Sequence, residues 1–342
     1  MNIPHIRLLN QQLVAPEYSD VHDLVSSMGM MQAQEYRMMR WAVGMRLRKP
    51  SMKAFREAYD TGRIVRVHLF RCTWQLVAAE DLRYMLRLCA GKNKTAIRGY
   101  LAYCGRQIGE REYGHANDLI CRSLAGKGSV RKDSLLSMLA ERGLADDAHT
   151  MSIYLRRAEL DGLICSGELD DSQSTYALVE ERIPRSAELS REEAVALLAD
   201  KYFRSHSPAT LDDFVWWTNL GVGECRNAVG AIRGELVEER YAGDVYYVHR
   251  GCRTRGYRSR TILLPSYDEF LIGYKSRHHV LDDAFRHRAY SNNGLFYPVI
   301  LDDGIVVGNW HPRREATFFR DEARCDLTEA FGRYRRFMES DK

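Results

Sequence analysis

Apolar positions along the first hundred residues recur first with a helical period and then with a strand period. Val21, Leu24, Val25 and Met28 follow the i, i+3, i+4, i+7 pattern that lays one apolar stripe along a helix. Ser19 or Asp20 supplies its N-cap and Gly29 its stop. A short amphipathic helix over 6–13 precedes it. Helices over 36–47, ending before Pro50, and over 52–59, capped by Ser51 and stopped by Gly62, follow. Residues 64–77 are rich in β-branched and aromatic side chains, which predicts a β-ribbon. Helix resumes over 79–88, and the glycine-led, lysine-bearing stretch 91–96 is expected to be a basic loop.

Helices followed by a ribbon describe a winged helix, and the same order returns twice. Helices over 117–124, 133–142 and 150–160 lead to a ribbon of 163–169 and 175–179, turning through Asp170-Asp171-Ser172-Gln173-Ser174. Ser190 then caps a helix over 192–203, Thr210 caps 211–217 and a third helix covers 224–233. Strands over 236–240 and 245–249 turn through Ala242-Gly243-Asp244. Beyond residue 250 a strand at 262–264, a helical turn over 268–274 and strands over 296–301 and 305–310 flanking Asp302-Asp303-Gly304 are expected, with a further strand at 317–319 and a closing helix over 327–338. The predicted fold class is therefore α+β: tandem winged-helix modules (helix-turn-helix plus β-hairpin) over 1–110, 111–185 and 186–250, then a small C-terminal α+β or β-barrel-like domain over 251–342.

Composition adds bounds. The chain has 342 residues, 45% hydrophobic and 28% charged, enough for several small cores. No apolar run approaches the roughly 18–20 residues that span a bilayer, and the first residues lack the form of a signal peptide. The expectation is a cytoplasmic, nucleoid-associated protein without membrane contact. Eight scattered cysteines with no Cys-x-x-Cys, and the absence of His-Glu-x-x-His, indicate neither a zinc site nor a redox pair. The thiols read as reduced core filler, and no cofactor or metal is implied. No long heptad asks for a dimer, so a monomer is expected.

The net charge of +4 hides an asymmetry. Residues 1–110 carry 17 Lys/Arg against 9 Asp/Glu, residues 111–250 carry 17 against 24, and residues 251–342 carry 16 against 13. Basic ends attract a polyanion, because Lys and Arg release counterions from phosphates. The candidate DNA-binding residues are Arg37, Arg40, Arg63, Arg66, His68, Arg71, Lys92 and Lys94, with Arg253, Arg255, Arg258 and Arg260 in the glycine-punctuated run before the strand at 262–264. The competing reading of each is a solvated surface. Trp216-Trp217 reads as core and His278-His279 as surface. Gly221-Val222-Gly223 and Gly126-Lys127-Gly128-Ser129 lack the spacing of phosphate-binding loops.

Gln32-Ala33-Gln34 is the candidate for chemistry. In an extended segment residues i and i+2 point to one side, whereas on a helix they diverge by roughly 200°. Two amides on one side can hold a water, read a base edge or place partial negative charge beside a developing cation. The alternative is a solvated loop leading into a helix. Tyr36, Trp41, Trp74 and Gln75 are candidate walls of a base pocket, with core packing as the competing role for the two tryptophans.

Several blocks, in order, resemble one family: Gln11-Gln12-Leu13, Met31-Gln32-Ala33-Gln34-Glu35-Tyr36, Trp41-Ala42-Val43-Gly44-Met45-Arg46-Leu47 and Val65-Arg66-Val67-His68-Leu69-Phe70-Arg71-Cys72-Thr73-Trp74. Ser207-Pro208-Ala209-Thr210-Leu211-Asp212-Asp213-Phe214-Val215-Trp216-Trp217 and Leu263-Leu264-Pro265-Ser266-Tyr267-Asp268-Glu269-Phe270-Leu271-Ile272-Gly273-Tyr274 continue it nearly end to end. These are similar to the bacterial winged-helix DNA glycosylases of the AlkZ/YcaQ type. The resemblance implies tandem winged helices forming a concave DNA-binding face, and metal-free excision of alkylated purines, crosslinked ones included, from double-stranded DNA. In one branch the catalytic motif is Gln-apolar-Gln, which Gln32-Ala33-Gln34 matches, so Gln32 and Gln34 are the implied catalytic residues. At Gln75 the sequence departs from the His that many members carry after the Thr-Trp step. An N7-alkylated guanine is already cationic, so leaving-group protonation is not required; orienting water and stabilising an oxocarbenium-like sugar suffice.

Two other readings use the same residues differently. In a non-enzymatic winged-helix DNA-binding protein or transcriptional regulator, Gln32 and Gln34 would bond bases or finish a loop; in a protein-interaction scaffold, DNA contact would be absent.

Overall fold

The structure, a computed structural model, describes residues 1–144, 147–313, 315–320 and 325–340. The chain forms two compact units, Met1–Phe55 with Val195–Lys342, and Arg56–Ala194.

In the first unit, helix Ile3–Asn10 is followed by Val21–Met28. Asp20 caps the latter by accepting from the Asp23 amide, and Gly29 ends it at φ 76°, a conformation that strains residues with a Cβ. The expected helix over 36–47 is shorter, Met38–Gly44, because residues 34–37 bend before it. Trp41 is buried there, with Tyr334 and Phe337 of helix Thr328–Glu339 at 5.3 and 5.6 Å between ring centroids. Gly44 permits that approach: a Cβ on it would lie 2.4 Å from the Phe337 ring.

Farther along, Thr210 and Asp213 form a capping box that opens helix Leu211–Thr218. After helix Val222–Ala231, strands Leu236–Tyr241 and Asp244–His249 form the expected hairpin. A four-stranded antiparallel sheet follows, with Ile262–Leu264 at one edge, then Val299–Asp302, Ile305–His311 and Glu315–Phe318. Its central turn uses Asp303 at φ 49° and Gly304 at φ 87°, matching the right-handed strand twist. The tryptophan pair divides, since adjacent helical residues point about 100° apart. Trp217 is 1% exposed, but Trp216 is 39% exposed, which corrects the reading of both as core.

The second unit carries the antiparallel ribbon Ile64–His68 with Trp74–Ala78. Helices Glu110–Leu124, Lys132–Glu141 and Ala148–Leu160 enclose a core of Ile120, Leu135, Leu139, Leu155 and Ala158. Strands Val130–Arg131, Thr175–Leu178 and Ile164–Ser166 form a three-stranded antiparallel sheet in that order. The basic loop expected at 91–96 is instead the middle of helix Leu82–Tyr103. Cys89, Asn93, Ile97 and Leu101 form one buried i, i+4 stripe, and Asn93 belongs to it because its side-chain amide donates to the Leu69 carbonyl. A polar residue in the stripe hid the helical period, and packing outweighs the roughly 1 kcal/mol propensity cost of Gly91.

Of the cysteines, Cys89, Cys165 and Cys225 are buried, Cys104 is exposed and the others lie between, so core filling describes three of eight. No helix among the described residues is long and apolar enough to cross a membrane.

Candidate active site and nucleic-acid interface

The Gln32-Ala33-Gln34 segment starts extended. Met31–Gln32 has strand geometry, Ala33 follows without regular structure and the chain bends at Gln34. Met31 and Ala33 are buried and hold the segment by their apolar side chains. The two amides lie at different depths, Gln32 at 5% exposure and Gln34 exposed. The Gln32 backbone N–H donates to Glu269 Oε1 at 2.6 Å. Beyond the bend, Glu35 Oε2 accepts from the Met38 amide at 2.8 Å and starts the next helix.

Glu269 is itself buried and fixed. Its Oε2 accepts from the Trp217 indole N–H at 3.0 Å and lies 3.5 Å from His206 Nε2. Burial pushes the His206 imidazole below its ordinary pKa, partly opposed by Glu269. The preceding residue, Asp268, receives both terminal nitrogens of Arg46 at 2.8 Å and caps helix Glu269–Ile272 through the Phe270 amide. Arg46 also donates to Ala42 O and Gln11 Oε1, and Gln11 donates to the Tyr274 hydroxyl. Sequence reasoning missed this buried network as part of the site. Its only signal was that Gln11, Arg46, Asp268, Glu269 and Tyr274 all fall in the blocks that carry the family resemblance.

In the second unit the ribbon carries His68 opposite Trp74. The Arg66 guanidinium lies 3.8 Å above the Trp74 ring centroid, and the His68 ring is 3.8 Å away from it. Arg66 also donates to Ser174 Oγ at 3.0 Å. His68 Nδ1 is 2.5 Å from Oε2 of the fully buried Glu159. Burial raises the Glu159 carboxyl to about 8, with Arg66, Arg156 and Lys132 opposing; it lowers His68 well below its usual value, where Arg156, Arg66 and Lys132 act in the same direction. No local pattern announced Glu159. Gln75 is buried, and its side-chain amide accepts from Phe70 N and donates to Phe70 O. It thereby ties the tight turn in which Arg71 and Cys72 both have positive φ.

The basic candidates separate by burial. Arg37, Arg63, Lys92, Arg255 and Arg258 are exposed; Arg71 is half-buried. Arg40, Arg66 and His68 are buried, which corrects the solvated-surface reading for those three. Lys94 pairs with Asp161 at 2.5 Å. Arg253 donates to the carbonyls of Ala15 and Leu9, and its own amide donates to Asn10, so it fastens the loop. Tyr257 does the same, stacking on His5 and donating to Asp303. Arg260 is half-buried, its guanidinium pKa lowered by burial. Of the aromatic candidates, Trp41 is core and donates its N–H to Leu263 O, Trp74 is half-buried, and Tyr36 is half-buried with the Arg40 guanidinium 5.4 Å from its centroid. His278 is exposed, while His279 is half-buried and bonded to the Tyr246 hydroxyl.

Among the described residues one His/acidic group, Asp20, His22 and Asp23, brings its ligand atoms within 4.8 Å of one another. Asp20 already caps a helix there.

A model of the family described as "DNA glycosylase AlkZ-like" matches residues 25–337. The fold is similar to that of the Streptomyces sahachiroi DNA glycosylase AlkZ, with a TM-score of 0.79 at 18% identity, covering 99% of this chain and 96% of that one. No curated protein matches by sequence.

Proposed function

This chain belongs to the DNA glycosylase AlkZ-like family, and from that premise we propose that it hydrolyses the N-glycosidic bond of alkylated purines, of the N7-alkylguanine type and crosslinked ones included, in double-stranded DNA. The observation that carries the reading is the paired-amide segment. Gln32 is buried with its backbone fixed by Glu269, and Gln34 is exposed one residue past a buried alanine.

An N7-alkylguanine leaves as a neutral base from a cationic one, so its departure needs no proton. The barrier that remains is charge developing on the sugar and the arrival of water. Amide carbonyls held in place offer partial negative charge to the first and a hydrogen-bond acceptor to the second. The helix-and-hairpin runs over 1–110, 111–185 and 186–250 would act as winged helices, presenting Arg37, Arg63 and Lys92 to phosphates, with Arg255 and Arg258 added from the loop that follows the third run. The protein would work as a monomer and without a metal.

The test is release of free base and formation of abasic sites from duplex DNA bearing N7-methylguanine or a nitrogen-mustard crosslink, under single-turnover conditions. Gln32→Ala and Gln34→Ala should each slow excision about 10²-fold or more, in line with the loss of one preorganised dipole, while DNA affinity stays near wild type. Intact binding with no release from any alkylated substrate would leave a non-enzymatic DNA-binding protein as the reading. Equal loss of binding and excision would assign the two amides to recognition.

A further inference from the structure

We propose that Glu269 is a positioning residue for Gln32: its buried carboxyl group receives the Gln32 backbone N–H and thereby sets where the Gln32 amide stands. The inference rests on the reading above that Gln32 takes part in glycosidic hydrolysis.

The argument is one of constraint. Gln32 occupies the last position of a two-residue strand, before the chain bends at Gln34. Its backbone amide donates to an acceptor 237 residues away in sequence, at 2.6 Å. That acceptor has almost no freedom. Glu269 begins helix Glu269–Ile272, whose N-cap Asp268 is clamped by both terminal nitrogens of Arg46. The backbone leading into it is held at Tyr267 in the left-handed region, φ 59°. Its second oxygen is occupied by the Trp217 indole N–H at 3.0 Å, and Trp217 packs beside Gly29, where an added Cβ would meet its ring at 3.4 Å. One carboxyl group thus ties the Gln32 segment to two helices of the same unit. With the backbone pinned there and Ala33 buried next to it, the Gln32 side chain starts from a fixed Cα. Reaction rates respond to this, since displacement of a catalytic group by about 1 Å costs on the order of 10²-fold.

Burying a carboxyl group here for stability alone is the competing account, and a double-mutant cycle separates the two. Single-turnover excision of N7-methylguanine and DNA affinity would be measured for the full-length wild type, Glu269→Ala, Glu269→Gln, Gln32→Ala and the Gln32→Ala/Glu269→Ala pair. The Gln32 amide proton would be followed by NMR in the same proteins. Expected results are a tenfold or greater rate loss in Glu269→Ala with affinity within twofold of wild type, and a double variant within twofold of Gln32→Ala. Glu269→Gln should recover most of the rate, because its carbonyl still accepts from Gln32; recovery stays incomplete because its NH₂ then faces the Trp217 N–H. The Gln32 amide should resonate downfield and exchange slowly in wild type.

A wild-type rate in Glu269→Ala, or losses that multiply in the double variant, would overturn the proposal. So would a freely exchanging Gln32 amide in the wild type, a measurement that also decides the matter if Glu269→Ala does not fold. If the wild type excises nothing, the functional reading fails by that result, and the amide signal alone decides whether Glu269 positions Gln32.

Discussion

His68 and Glu159 meet inside the second unit, Nδ1 to Oε2 at 2.5 Å, with Glu159 fully buried. Burial acts on both in the direction of the neutral form, raising the carboxyl from 4.5 to about 8 and lowering the imidazole from 6.5. The folded chain therefore retains a proton on Glu159 that the unfolded chain has released. Stability contributed there is full below pH 4.5 and is lost as pH rises toward 8, by at most about 1.4 kcal/mol per pH unit. His68 acts in the opposite sense, but only below its unfolded value of 6.5, so above that pH the Glu159 effect stands alone. Thermal unfolding of the wild type should give a Tm that falls between pH 6.5 and 8, and Glu159→Gln should flatten the decline. Parallel profiles for the two proteins would contradict a protonated Glu159.

Arg46 and Asp268 are 0% and 1% exposed at their side chains and share two hydrogen bonds of 2.8 Å. Removing one partner strands a buried charge, so Asp268→Ala should lower the unfolding free energy by about 3–5 kcal/mol, measured by denaturant titration. A loss under about 1 kcal/mol, the range of an exposed pair, would mean that water reaches the guanidinium.

The loop before the four-stranded sheet makes a sharper distinction than its composition allowed. Arg255 and Arg258 are exposed, whereas Arg253 is tied to carbonyls of the first helix and the residues after it. Arg255→Ala and Arg258→Ala should each reduce the slope of log affinity against log salt by about 0.9 and leave Tm unchanged. Arg253→Ala should do the reverse. Unchanged salt slopes in the first two variants would remove this loop from the DNA interface.

What the sequence determined by itself was local. Thr210 caps a helix, Gly29 ends one, and Asp303-Gly304 turns a hairpin, because each effect is settled within three or four residues by a side-chain hydrogen bond or a positive φ. The family motifs likewise singled out Gln32 and Gln34 as the implied catalytic pair, since order along the chain is what a sequence preserves. The tertiary structure decided whatever depends on a distant partner. Residues 91–96 are helical because Asn93 meets Leu69; Trp217 is inside and Trp216 outside because only one face of their helix is covered. Arg66 and His68 leave the surface because Trp74 and Glu159 receive them. Gln32 is held by a carboxyl group 237 residues away. Burial and hydrogen-bond partnership between remote segments are properties of the packed chain, and no local pattern of residues encodes them.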